Sequence, residues 1–180
     1  MSLSTPEILQ RLKSQDVHLG LLYDRSVSDD DYDVLPLFSE RYVLIASAQA
    51  SLPHELSWVE AAELPLCLLS RDMQNRQTLD EVFTSADATP NIVVETNAIN
   101  VLLGEALSGR AFSIMPLSAL PARYEGGGLR AHPITPEHAE DVCLVRLRRE
   151  TQPALSHAAW KIASNLDLEA ILNKPLAKPD

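Results

Sequence analysis

Glycine is scarce in this chain: 180 residues hold six glycines against twelve prolines. Flexible linkers and glycine-cradled phosphate loops therefore have little to build from. Segment boundaries fall instead to proline, which has no N–H to give to a helix interior or a central ladder. Three of the six glycines sit together at 126–128. No helix start and no P-loop lysine follows them, so the run reads as a turn. Cysteine is nearly absent as well. Cys67 and Cys143 each lie inside an apolar, strand-like run with no second Cys or His at ligand spacing, which predicts buried free thiols in a reducing cytosol. Positive charge is short: 15 Lys and Arg against 25 Asp and Glu leave a net charge of −10. A fragment of that balance does not grip nucleic acid by itself, because phosphate contacts need a basic face. No apolar run approaches the roughly 20 residues that span a bilayer, and no secretory leader pattern opens the chain. Internal repeats and low-complexity tracts are also missing.

Catalytic constellations are missing too. The five histidines (His18, His54, His132, His138 and His157) are scattered without ligand spacing. Ser70 and Ser113 stand near strand ends, but neither is in a nucleophile elbow. Asp80 and Glu81 fall early in an amphipathic helix, where acidic groups favourably face the dipole. No metal, no cofactor and no enzymatic activity is expected.

What is present reads as alternating strands and helices, with 46% hydrophobic residues to fill a core. Residues 90–120 are the most informative. Ile92, Val93 and Val94 form a β-branched strand; Thr96 and Asn97 are N-cap types; Ile99, Leu102, Leu103, Ala106 and Leu107 follow at helical spacing. Gly109 ends that helix, and an apolar strand from Phe112 to Met115 stops at Pro116. Upstream, residues 17–23 predict a strand buried on both sides, and 34–38 and 42–46 predict two strands around a Ser39-Glu40-Arg41 turn. A short helix lies within 53–64 with Trp58, Val59 and Ala62 inward. A strand follows at 65–69, then a helix striped by Leu79, Val82, Phe83 and Ala86. Residues 24–33 are too acidic for core and lack the glycine turn and distal Glu of a calcium loop. Downstream come strands at 129–134 and 142–147 and a helix carrying Leu155, Ala159, Ile162 and Leu166 on one face. The fold class is α/β with a largely parallel sheet. Residues 48–132 look like a complete βαβαβ lobe, and 1–47 with 133–180 form the other, so the chain crosses between lobes twice.

In order and spacing these segments resemble the effector-binding domain of LysR-type transcriptional regulators. The strand entry at 12–21, the segment 35–46, the helix at 58–64 and the "R..ld..F" helix at 76–83 all match. So do the stretch 95–116 and the closing 142–149 with Pro153-Ala154-Leu155. The resemblance implies a type 2 periplasmic-binding-protein-like fold, two α/β lobes joined by two crossover strands. It departs at His18, where the family has Asp, and at Gly109-Arg110-Ala111, which keeps a single glycine. The first strands of the first lobe have no counterpart before Ser4, and Met1-Ser2-Leu3 reads as an expression leader, so the first lobe is expected to be incomplete.

By the same resemblance the effector contacts fall on Ser4, Thr5, Ser70, Arg71, Met73, Thr96, Asn97 and Asn100, and Arg76, at the end of the first loop, is a further candidate. Each also has a plainer role: Ser4, Thr5, Thr96 and Asn97 as helix caps, Met73 as loop packing, Arg71 and Arg76 as surface charges. An arginine here would otherwise clamp a carboxylate through its fixed fork. The expected partner is a small organic anion or polar metabolite, sensed in the cytoplasm by a homodimer or tetramer. Lobe closure on that effector is the implied switch. DNA would be bound through an N-terminal helix-turn-helix outside this chain, and no membrane is involved. A transporter's solute-binding protein and an enzyme on the same fold are the alternatives.

Overall fold

The structure is a computed structural model that describes residues 5–23, 27, 30–120 and 128–172. Ser4, most of the acidic loop and Gly126-Gly127 lie outside these residues. The chain divides into two units: Met1–Glu40 with Glu140–Lys174, and Arg41–Ala139. The sequence reading put the crossings at 47 and 133 instead. They move because residues 32–47 are not two strands around a turn. They form one 16-residue strand, β2 (Tyr32–Ser47), which continues through Ser39-Glu40-Arg41. Those residues carry no glycine or proline to force a reversal, and Glu40 is buried, accepting a hydrogen bond from the Tyr23 hydroxyl at 2.7 Å.

In the first unit, α1 (Thr5–Ser14) packs on β1 (Gly20–Tyr23), which pairs antiparallel with β8 (Ala139–Leu147) through Leu21↔Leu144 and Leu22↔Cys143. Leu12, Leu22, Tyr32, Cys143 and Val145 form its core, with Ile8 and Leu9 against them. Gly20 is needed for close approach: a Cβ there would stand 2.5 Å from Ile8 Cγ2, a stiff β-branched neighbour. The strand is shorter than expected and not buried on both sides, since Leu21 is 58% exposed. Asp33 accepts from Arg146 Nε at 2.9 Å and from Arg148 Nε at 3.1 Å. Burial pushes its carboxyl up, but the two guanidiniums outweigh that and hold it below the ordinary value. Arg146 in turn lies 4.1 Å from the Trp160 ring centroid, which seats α5 (Ala154–Ala163). This reverses the expected face of that helix. Ser156, Trp160 and Ala163 point inward, and Leu155 and Ile162 are left in solvent. α6 (Leu168–Leu172) closes the described chain.

The second unit contains β3 (Leu56–Ser57), α2 (Trp58–Glu63), β4 (Leu66–Leu69), α3 (Gln74–Ser85), β5 (Ile92–Thr96), α4 (Ile99–Leu107), β6 (Ser113–Pro116) and β7 (Leu129–Thr135). A capping box starts α2: Ser57 Oγ accepts from Glu60 N–H, and Glu60 accepts from Ser57 N–H. Val59 points outward, while Trp58, Ala61 and Ala62 are buried. Pairing is more mixed than expected. β2 runs antiparallel to β6 and β7, and the parallel pairs are β3 with β7 and β4 with β5, plus a parallel bridge from Leu66 to Phe112. Strand alternation divides the core into two layers. Tyr42, Leu44, Leu66, Leu68 and Ile114 face Trp58, Leu79 and Phe83; Val43, Ile45, Cys67, Leu69 and Met115 face Leu102, Leu103 and Ala106. The α3 and α4 helices therefore lie on opposite faces. Both cysteines are free and buried, and burial followed by the nearby Glu105 pushes the Cys67 thiol up to about 11.

His132, on β7, is 4% exposed with Nδ1 3.0 Å from the Pro53 carbonyl, and its Nε2 has no partner among the described residues. Burial lowers its pKa below the usual 6.5, aided by the charges of Arg130 and His54 and opposed by backbone hydrogen bonds at Pro53 and His54. The unfolded chain therefore takes the proton more readily, so stability is full above about pH 6.5 and falls as pH drops toward the folded value. Urea midpoints at pH 7.5 and pH 5.5 are expected to differ, and His132→Gln is expected to shrink the difference. An unchanged difference would show that another group carries it.

Candidate functional site

β4 leads into α3 on one face of the sheet, and β5 leads into α4 on the other. The two strands are parallel neighbours, with Leu69 opposite Thr96 and Ser70 N–H donating to the Thr96 carbonyl at 2.8 Å. Right-handed crossovers that move in opposite directions along a sheet must use opposite faces. α3 moves the chain outward from β4 to the edge strand β5, and α4 brings it back past β4 to β6. The loops after β4 and β5 consequently diverge toward opposite faces at the strand C-termini, the topological position where open α/β sheets usually hold a ligand. Ser70, Arg71 and Met73 come from the first loop; Thr96, Asn97 and Asn100 come from the second. The structure thus brings six of the nine candidate residues to one end of one sheet. Thr5 opens α1 in the other unit, and Ser4 lies outside the described residues.

Neither helix start at these strand ends is capped by a side chain. The N-cap of α3 is Met73 and that of α4 is Ala98, one residue beyond the expected Thr96-Asn97 pair. Thr96 Oγ1 accepts instead from Ala98 N–H at 3.2 Å, a local turn bond that leaves the first turn of α4 unserved. Asn97 and Asn100 are exposed, Arg71 is exposed, and Met73 is half-buried against the core layer that faces α4. Packing is therefore the role the structure shows for Met73.

Arg76 differs most from its sequence reading. It is 1% exposed, neither a surface charge nor a fork open to a ligand. Nε donates to Asp80 Oδ1 at 2.8 Å, and Nη1 donates to Glu95 Oε2 and to the Leu69 carbonyl, both at 2.9 Å. Desolvation opposes its charge, but the two carboxylates win and hold it firmly protonated. Asp80 was visible at i+4 on the same helix. Glu95 was not. It reaches the α3 face because the pairing slips between Leu66↔Ile92 and Cys67↔Val94, which leaves Val93 bulged and exposed and sets Glu95 opposite Leu68.

The family model for the LysR substrate-binding domain matches residues 1–166. The chain belongs to that family. Solved structures share the fold at low identity. HinK, a LysR family transcriptional regulator from Pseudomonas aeruginosa, superimposes with a TM-score of 0.76 at 19% identity, over 93% of this chain and 59% of its own. The regulatory domain of Synechocystis CcmR, in complex with 2-PG, gives 0.74 at 11%, over 95% and 81%. The effector-binding domain of QuiR, in complex with shikimate, gives 0.71 at 18%, over 97% and 81%. No curated protein sequence matches the chain. The LysR-type domain described here thus spans between half and three-fifths of full regulators such as HinK. Its type 2 periplasmic-binding-protein-like fold agrees with the sequence resemblance. Among the described residues, no group of acidic, His and Cys side chains is placed to hold a metal ion, and no helix is long and apolar enough to cross a membrane.

Proposed function

We propose that this LysR-type domain senses a small polar metabolite with an anionic group, held where β4 and β5 end. Ser70, Arg71, Thr96, Asn97 and Asn100 are its contacts, and Met73 forms the apolar floor. The observation that carries the reading is the pair of helix starts, α3 and α4, at the adjacent ends of β4 and β5 with no side-chain cap on either. Free N–H groups and the positive ends of two dipoles favour an anion there. Arg71 adds an exposed charge, whereas the charge of Arg76 is already spent on Asp80 and Glu95. The domain binds without catalysing. It acts in the cytoplasm within a homodimer or tetramer, and DNA is contacted by a part of the protein outside these 180 residues, in keeping with the net charge of −10.

A calorimetric screen of small carboxylates and phosphates against their neutral analogues tests this. The expected result is binding by an anion and not by its neutral analogue. Asn97→Ala is then expected to weaken binding by about 1–2 kcal/mol, roughly 5- to 30-fold. Its unfolding free energy should stay within about 0.5 kcal/mol of wild type, because Asn97 is exposed. A neutral apolar ligand, or full affinity in Asn97→Ala, would overturn the assignment.

A further inference from the structure

We propose that Arg76 is the positioning residue of this site, a buried clamp that holds the ends of β4 and β5 together beneath the two loops. This rests on the functional reading above and adds what fixes the relative placement of the two loops. Three elements meet on one guanidinium: the last carbonyl of β4 through Leu69, the penultimate side chain of β5 through Glu95, and the first turns of α3 through Asp80. Leu69 is followed directly by the loop residues Ser70 and Arg71, and Glu95 directly by Thr96 and Asn97. The first loop thus begins one residue, and the second two residues, beyond a residue tied to Arg76. The guanidinium is planar and its donors have fixed directions, so bonds on two of its nitrogens constrain the relative placement of their acceptors.

The surroundings explain why an arginine is needed. The backbone bond from Ser70 to Thr96 is the last rung where the two strands part, and such rungs fray readily. Beyond it the chains turn to opposite faces, and no side-chain cap holds either helix start. Asp80 and Glu95 are each nearly half exposed, while the arginine between them is not. The charge is buried and its counter-charges are partly exposed to solvent. A lysine offers a single point charge and cannot hold all three acceptors in fixed directions.

Residue-resolved amide exchange on the 180-residue chain tests the clamp without any effector, so failure of the effector reading leaves this test intact. In Arg76→Met, exchange at Ser70 and Met73 is expected to rise roughly tenfold or more. Amides in the β2–β6 ladder, at Leu44 and Ile114, should keep their rates. Arg76→Lys should restore the loop rates only in part. If Arg76→Met does not fold, Glu95→Gln removes one charged acceptor at constant shape and is expected to accelerate the same two amides more weakly. Loop rates that stay unchanged, equal acceleration at Leu44 and Ile114, or complete rescue by lysine would each overturn the proposal.

Discussion

Truncating Phe83 to alanine is expected to lower the unfolding free energy by about 3–5 kcal/mol, the usual cost of deleting a buried aromatic. Phe83 is 1% exposed in the last turns of α3, and its ring meets Trp58 edge-on at 5.5 Å. Deleting it leaves a cavity between α3, α2 and the sheet. It also removes an edge-to-face pair worth about 0.5–1.5 kcal/mol beyond area burial. A domain of this size has only about 5–15 kcal/mol in total, so the loss is a large share. Urea denaturation should show a lower midpoint with an unchanged slope. Phe83→Leu, which keeps most of the volume, should lose less. A cost below about 1 kcal/mol for Phe83→Ala would mean that the site collapses easily, contrary to its close packing. The functional consequence follows from position: Leu79 and Phe83 anchor the body of α3, and Arg76 anchors its start.

Most elements were legible because their signals are local. The stripe on α3, the β-branched run of β5 and the stop at Pro116 reflect side-chain periodicity and a missing N–H, which need no tertiary knowledge. That the loops at residues 70–76 and 96–100 adjoin was legible too, since two strand-to-helix turns on parallel neighbours must lie side by side. What escaped depended on pairing. The continuity of β2 through Ser39-Glu40-Arg41 arises because different partners take its two halves, which no local propensity records. The α5 helix has two candidate faces, and the one that packs was chosen by Arg146 over Trp160, a contact from β8. The cap of α4 moved to Ala98 because Thr96 still belongs to the β5 ladder through Leu69. Arg76 was misread for a related reason. Burying an arginine requires compensating acceptors. The decisive one, Glu95, is brought to α3 by a bulge whose register is invisible in the sequence.

The opposite face gives the complementary prediction. Leu103 is 2% exposed on α4, within the layer formed by Val43, Cys67, Leu102 and Met115. Leu103→Ala is expected to cost about 2–5 kcal/mol, read in the same urea experiment. The informative measurement is its combination with Phe83. The two side chains belong to layers separated by the sheet and share no neighbour in either cluster. Their costs should therefore add to within about 0.5 kcal/mol. If the double truncation exceeds the total stability, Phe83→Leu with Leu103→Val asks the same question at smaller cost. Marked non-additivity would mean that the layers move together through the sheet, so that the placement of the two loops is set by the whole core. Additivity would mean that α3 and α4 are anchored independently. The side-chain link between α3 and the end of β5 would then rest on Arg76, and the loops that diverge at Ser70 and Thr96 would owe their mutual placement to that residue and to the single backbone bond beside it.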